Sequence, residues 1–328
     1  MRRIFITPNI IELSKDYSKN LFKDRNQGRG RRFSMPIEEL NKLESNLRTN
    51  LFLNYANYVK RIIDHYGILN SIKPQYFDSL YNRYFDILTE IELSTIIKLD
   101  NTSLKFYEWI VSAMRYDAIR EKEFLPYAKK LGIKTCVYCN TQFAITTELI
   151  NGKLSGSYEL DHYYPKSKYP FLCTSFFNLQ PSCSHCNKKK INKTSLFSLY
   201  TDDYTLIDEF NFSLDKKSML RYLLTQEEDN LKIIFNCINT ILKDNHEDLF
   251  HISELYNQHK DVVEEIIWKS KIYNKSYKES LSNSFSSFFP NTTNLNRFII
   301  GNYDNPNEIH KRPLAKLVQD IAKQLGVI

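Results

Sequence analysis

The sequence predicts a mainly α-helical fold with a small β-containing element at its centre, and three observations carry that prediction. Only eight glycines and ten prolines punctuate 328 residues, so little in the chain breaks helices. Apolar residues recur every three or four positions on both sides of the middle. Between those stretches lie two C-x₂-C pairs and an Asn-Gly dipeptide set between apolar runs.

In chain order, Leu40, Leu43, Leu47, Leu51, Tyr55, Tyr58 and Ile62 form one apolar stripe and predict a long helix over 36–66. Residues 104–130 repeat the pattern with Phe106, Trp109, Ile110, Ala113 and Met114. After residue 200 three further stripes predict helices. The first is Leu231, Ile234, Phe235, Ile238, Ile241 and Leu242. The second is Ile252, Leu255, Tyr256, Val262, Val263, Ile266 and Ile267. The last is Leu314, Leu317, Val318, Ile321 and Leu325, with Pro313 suitably near its start. Between the last two, SNSFSSFFPNTTN reads as a loop or linker. All these stripes are assigned to the core and given no chemistry.

The middle departs from this pattern. Residues 143–150 and 154–160 flank Asn151-Gly152, which suits the positive φ angles of a tight hairpin turn. The second strand runs into Asp161-His162, residues 171–179 predict a third strand, and a lysine-rich helix starts near Ser184. The chain thus divides into an N-terminal helical region (1–131), a compact core (132–200) and a C-terminal helical region (201–328).

Composition excludes some classes. At 42% hydrophobic and 25% charged the chain is ordinary for a globular protein. No run of about 18 apolar residues exists to span a membrane. The first residues, MRRIFITPNIIELSKDYSK, lack the continuous apolar stretch and cleavage site of a secretion signal, so a cytoplasmic location is expected. The net charge of +7 is modest, but its distribution is uneven. From Asp161 to Lys193 six lysines face one acid, and Lys23, Arg25, Arg29, Arg31 and Arg32 cluster around Gly28 and Gly30. Clusters of this kind suit a polyanion, because each phosphate neutralised releases condensed counterions.

Cys136-Val-Tyr-Cys139 and Cys183-Ser-His-Cys186 are separated by 43 residues. Each knuckle offers two thiolates from one tight turn, and together they complete a tetrahedral site for a structural Zn²⁺ with no open position. Cys173 and Cys237 read as small buried hydrophobes. His185 lies within the second knuckle, where it could replace a cysteine as ligand but is rather expected to point outward or to contact phosphate. An element this small needs its metal to fold.

Between and after the knuckles stand ELDHYYPKSKYP and FFNLQPSCSHCNKKK. Asp161-His162, Asn178 and Asn187, in this order around the two knuckles, resemble the HNH endonucleases, whose fold is the ββα-metal or His-Me finger. The resemblance covers about 60 residues of the chain and carries its implications with it. It makes His162 the group that takes a proton from water, since an imidazole can do so at cellular pH. It makes Asp161 and Asn187 the ligands of a catalytic Mg²⁺ or Mn²⁺, hard cations that accept oxygen ligands and phosphate. It also makes Asn178 the residue that holds the loop behind His162.

Lys166, Lys168, Lys188 and Lys190 are expected to contact phosphates flanking the scissile bond, positioning substrate without reading sequence. Tyr163, Tyr164 and Tyr169 are expected to pack rather than stack on bases. The substrate class is nucleic acid, DNA ahead of RNA. Competing readings are a zinc-dependent nucleic-acid-binding module that cuts nothing, a protein-interaction role with a degenerate finger, and a self-contained restriction-type endonuclease. The helical arms and the phrase DHYYPKSKYP look like the HNH effector subunits of bacterial anti-phage defence systems such as Septu and related retron modules, which implies an ATPase partner.

Overall fold

The computed structural model describes residues 1–25, 32–289 and 292–328. Gly28, Arg29, Gly30 and Arg31 of the N-terminal basic cluster lie outside the described residues, as do Pro290 and Asn291 of the Ser/Asn-rich stretch.

The chain opens with β1 (Ile4–Phe5) and α1 (Pro8–Asn20), then α2 (Pro36–Thr49), α3 (Leu53–Leu69), α4 (Phe77–Phe85) and α5 (Glu90–Leu93). A hairpin of β2 (Ile96–Leu99) and β3 (Thr102–Lys105) leads into α6 (Phe106–Ala113), α7 (Tyr116–Ala118) and α8 (Leu125–Lys130). The centre holds β4 (Thr146–Glu148), β5 (Leu154–Gly156), β6 (Glu159–His162), β7 (Leu179–Ser182) and α9 (Ser184–Lys190). The remainder contains β8 (Tyr200–Thr201), β9 (Phe210–Leu214), α10 (Lys216–Thr225), β10 (Ile233–Cys237), α11 (Thr240–Phe250) and α12 (Ile252–Tyr256). It ends with α13 (Lys260–Ile272), α14 (Lys275–Ser284), α15 (Thr292–Ile300) and α16 (Ala315–Gln324). Helices dominate, and every sheet among the described residues is two-stranded.

Several predicted elements are corrected. The helix expected over 36–66 is two helices, because Leu51 takes a left-handed φ of 64° and turns the chain between them. Leu40, Leu43 and Leu47 of α2 and Tyr58 and Ile62 of α3 are all buried, so one sequence stripe serves two packed helices. The helix expected over 104–130 breaks at Arg115, where φ is 59°, and again at a wide turn over Ile119–Glu123. The stripe at 231–242 is a strand followed by a helix. Burial falls on Ile233 and Phe235, a period of two, where β10 pairs with β9. The stripe at 252–267 is split at 257–259 into α12 and α13. The stretch read as a linker starts inside α14 and runs into α15. The last stripe is α16, as expected.

In the middle, the Asn-Gly hairpin exists as β4 and β5, with Gly152 at φ 74° in the turn. It ends earlier than expected, however. The chain bends at 157–158 and starts a separate strand, β6, which carries Asp161 and His162 and pairs with β7. The third strand is likewise shifted: two short 3₁₀ turns, Pro170–Leu172 and Phe176–Asn178, fill most of 171–179, and extended structure begins at Leu179. The predicted lysine-rich helix is α9.

The arms bear directly on the centre. Parallel pairing of β1 with β8 sets Ile4 beside Tyr200, and one buried apolar cluster runs from Met1 to Val327. Among the described residues no helix is long and apolar enough to cross a membrane.

Candidate active site and cysteine tetrad

The strands β6 and β7 run antiparallel, with Asp161 opposite Gln180 and His162 opposite Leu179. From β7 the chain passes through Cys183 straight into α9, whose first turn Cys183 caps by accepting a hydrogen bond from the Cys186 amide at 3.4 Å. Lys188, Lys189 and Lys190 occupy the last turn, where the helix dipole favours cations. Ile191 then ends the helix at φ 46°.

The ligand sulfurs of Cys136, Cys139, Cys183 and Cys186 all lie within 4.8 Å of one another, and all four residues are buried. Four sulfurs about 2.3 Å from one tetrahedral ion stand slightly under 4 Å apart, so the spacing fits zinc. The Cys139 and Cys183 sulfurs are 4.0 Å apart. Without a cation the thiols compete. Hydrogen bonds from Cys136 pull Cys139 and Cys183 down, while burial pushes Cys136 up. A divalent cation relieves that conflict by accepting all four as thiolates. The first knuckle is held from both the C-terminal region and β7. The Tyr256 hydroxyl donates to the Cys139 carbonyl at 2.6 Å, His246 Nε2 contacts the Tyr138 carbonyl at 2.8 Å, and the Val137 amide donates to Pro181.

A cavity of about 330 Å³ lies beside this frame, lined by Asp161, His162, Asn187, Lys166, Lys188, Tyr116 and Arg120 among others. The predicted trio of Asp161, His162 and Asn187 therefore faces one space. On a regular strand successive side chains point to opposite faces. Asp161 and His162 share the cavity because His162 is the last residue of β6, where the chain bends away.

His162 is buried, and its Nε2 lies 2.9 Å from the Cys173 carbonyl. A carbonyl only accepts, so Nε2 carries the hydrogen and Nδ1 keeps the lone pair. The Tyr116 ring packs on the imidazole at 4.6 Å between centroids. Burial pulls the His162 pKa down to about 3, against the Cys173 carbonyl, with Lys166 and Lys190 lowering it further. The ring is thus neutral at ordinary pH.

Asp161 is buried and one of its oxygens is heavily used. Oδ2 accepts a hydrogen bond from the Tyr138 hydroxyl at 2.6 Å and lies 3.1 Å from Lys190 Nζ. Oδ1 has no hydrogen-bond partner among the described residues. Lys190 also donates to the His162 carbonyl at 2.6 Å. The expectation that Lys190 contacts phosphate is therefore corrected: its side chain is fully buried and its ammonium serves the Asp161 carboxylate. Lys168 is drawn elsewhere too, pairing with Glu90 at 2.9 Å and taking no part in lining the cavity. Lys166 and Lys188 do line it, and Lys166 sits 4.8 Å above the Tyr116 ring.

Asn178 is buried beneath the bend. Its Oδ1 accepts from the Tyr164 amide at 2.7 Å, and its Nδ2 donates to the carbonyls of Tyr164 at 3.2 Å and Leu172 at 3.0 Å. It clamps the chain just past His162. Asn187 is half-buried, with no side-chain hydrogen bond among the described residues. His185 is exposed. Tyr164 packs on Phe77 and Tyr169 and donates to Asp78 at 2.6 Å, as packing residues do.

The sequence reading missed three residues of the site, Tyr138, Tyr116 and Arg120, and gave a fourth, Lys190, another role. Tyr138 and Lys190 had a usable signal. Tyr138 stands between two knuckle cysteines, and Cys183, Cys186 and Lys190 recur at helical spacing, which places Lys190 on the inner face. Tyr116 and Arg120 had none, since they come from the N-terminal arm before the first knuckle.

The model of the family described as HNH endonuclease matches residues 136–193. No curated protein and no solved structure matches the chain. The matched segment begins at the first tetrad cysteine, takes in the whole trio and ends just past α9. Residues 136–193 are therefore an HNH endonuclease domain by this match, a kind of domain that acts on nucleic acid.

Proposed function

We propose that this chain is a metal-dependent HNH endonuclease that hydrolyses phosphodiester bonds in DNA, with residues 132–200 as its nuclease core between two helical arms. The observation that carries the reading is the single cavity shared by Asp161, His162 and Asn187 inside the matched segment. In this reading β6, β7 and α9 are the two strands and helix of a ββα-metal finger, stapled by Zn²⁺ on the four cysteines.

His162 Nδ1 takes a proton from a water molecule as that water attacks phosphorus, and the bond from phosphorus to the 3′ oxygen breaks. The departing oxygen then takes a proton from solvent. An imidazole with a pKa of about 3 is a weak base. An anionic phosphate entering the cavity offsets Lys166 and Lys190 and raises its basicity. Oδ1 of Asp161 and the Asn187 amide oxygen would hold Mg²⁺ or Mn²⁺. Bound there, such an ion supplies charge neutralisation for the phosphorane and the leaving oxygen. The donor set fits a hard cation that keeps several waters, with one carboxylate oxygen and one amide in reach. Asn178 fixes the bend after His162, and Arg120, Lys166 and Lys188 supply cationic donors for the flanking phosphates.

A cytoplasmic defence effector acting beside an ATPase is the biological setting we infer, from the resemblance of DHYYPKSKYP and the helical arms. The chemistry is tested by incubating the purified protein with single- and double-stranded DNA and RNA, with Mg²⁺ or Mn²⁺ and then with excess chelator. Metal-dependent cutting of DNA is expected. Cutting that survives chelation would remove Asp161 and Asn187 from the metal role, and cutting confined to RNA would reverse the substrate.

A further inference from the structure

The two groups that grip Asp161 come from the two cysteine knuckles, one from each. Tyr138 lies inside Cys136-Val-Tyr-Cys139, so its backbone is fixed by sulfur ligands on both sides. Lys190 lies on α9, the helix that Cys183 caps and Cys186 anchors. Both donors reach the same oxygen, Oδ2, at 2.6 Å and 3.1 Å. The other oxygen is left to the cavity.

We propose that Tyr138 and Lys190 are positioning residues that transmit the order of the cysteine tetrad to the catalytic carboxylate, presenting Asp161 as a one-oxygen ligand. This rests on the metal role given to Asp161 above. The physical basis is restriction of rotation. A carboxylate with two buried donors on one oxygen cannot turn about its side chain without breaking both bonds, in surroundings where an unpaired polar group is costly. Tyr138 is suited to the task. Its hydroxyl is buried and donates to the carboxylate at 2.6 Å. Its ring is stacked on Phe250 at 4.7 Å, which fixes the hydroxyl from the C-terminal arm. The tetrad and the cavity are thus joined by a path of one residue on one side and one helix on the other. Partners that orient metal ligands in this way typically carry about 10- to 100-fold in metal affinity.

The test uses zinc-loaded protein in a His162→Ala background, with Mn²⁺ binding followed by the electron paramagnetic resonance of the free ion. Tyr138→Phe removes one hydroxyl and keeps the stacked ring. It should retain zinc and melting temperature while weakening Mn²⁺ binding about tenfold. In an Asp161→Asn background the same substitution should have no further effect, since it acts through that carboxylate. A second measurement needs no change at Tyr138. Coupling between sites is reciprocal, so Mn²⁺ should slow ejection of zinc by a thiol reagent in the parent and not in Asp161→Asn. Mn²⁺ binding that is identical in zinc-loaded Tyr138→Phe, or zinc ejection indifferent to Mn²⁺, would overturn the coupling and leave the metal site standing. Parent protein that binds no Mn²⁺ at Asp161 would overturn the metal role and this inference together.

Discussion

Asp161 and Asn187 are assigned the same ligand role, yet their surroundings make opposite predictions for stability. Asp161 is buried against the Lys190 ammonium, and removing one partner of a buried pair leaves the other charge uncompensated. Asp161→Ala should therefore cost about 3–5 kcal/mol of unfolding free energy, read by denaturant titration. Asn187 is half-buried and makes no side-chain hydrogen bond among the described residues, so Asn187→Ala should cost less than about 1 kcal/mol. Equal losses would contradict the pairing of Asp161 with Lys190. At this scale the sequence was legible where residue type and spacing dictate geometry, as with the four cysteines that come together. It was silent where only three-dimensional placement distinguishes like residues. Lys188, Lys189 and Lys190 are adjacent and identical in type, and only the helical phase from Cys186 separates the buried one from the others.

The elements were read well where a stripe and a helix coincide, as in α16, and badly where two elements share one stripe. Periodicity reports which residues are buried, not whether the chain reverses between them. At Leu51 nothing in the residue type announces a turn, because leucine disfavours the left-handed φ it adopts there. That cost is measurable: Leu51→Gly should raise stability by about 1 kcal/mol, since leucine is exposed and glycine carries no penalty at φ 64°. A destabilised variant would show that the Leu51 side chain packs more than its exposure implies. In β10 the error had another source. Leu231, Ile233 and Phe235 alternate while Leu231, Ile234 and Phe235 also fit a helical period, so one short run suited both templates. The cysteine frame makes its own prediction at this scale. Cys183→Ser removes both a sulfur ligand and the cap of α9, and should abolish zinc binding and lower the melting temperature. A zinc-loaded, normally melting variant would contradict the tetrad.

Across the whole molecule the cysteine-framed centre is embedded rather than appended, with His246 and Tyr256 of the C-terminal region bonded to the first knuckle. Several buried histidines tie that assembly to pH. Burial pulls His246 down to about 3 and His310 to about 4 from an ordinary 6.5. Both stay neutral in the folded chain while the unfolded chain takes up protons below 6.5. The stability they contribute is fully present above pH 6.5 and is lost as pH falls toward 4, by at most about 1.4 kcal/mol per histidine per pH unit. Melting temperatures that do not decline over that window would contradict neutral burial. His162 shares the shift, so kcat/KM in the free enzyme should show no imidazole limb between about pH 5 and 8. All of this converges on one assignment, that the His162 imidazole is the base at a phosphodiester. The most direct measurement compares the parent with His162→Ala for metal-dependent cleavage and for binding of the same DNA. Loss of cutting by about a hundredfold or more with binding intact is the expected result. Undiminished cutting by His162→Ala would contradict the account.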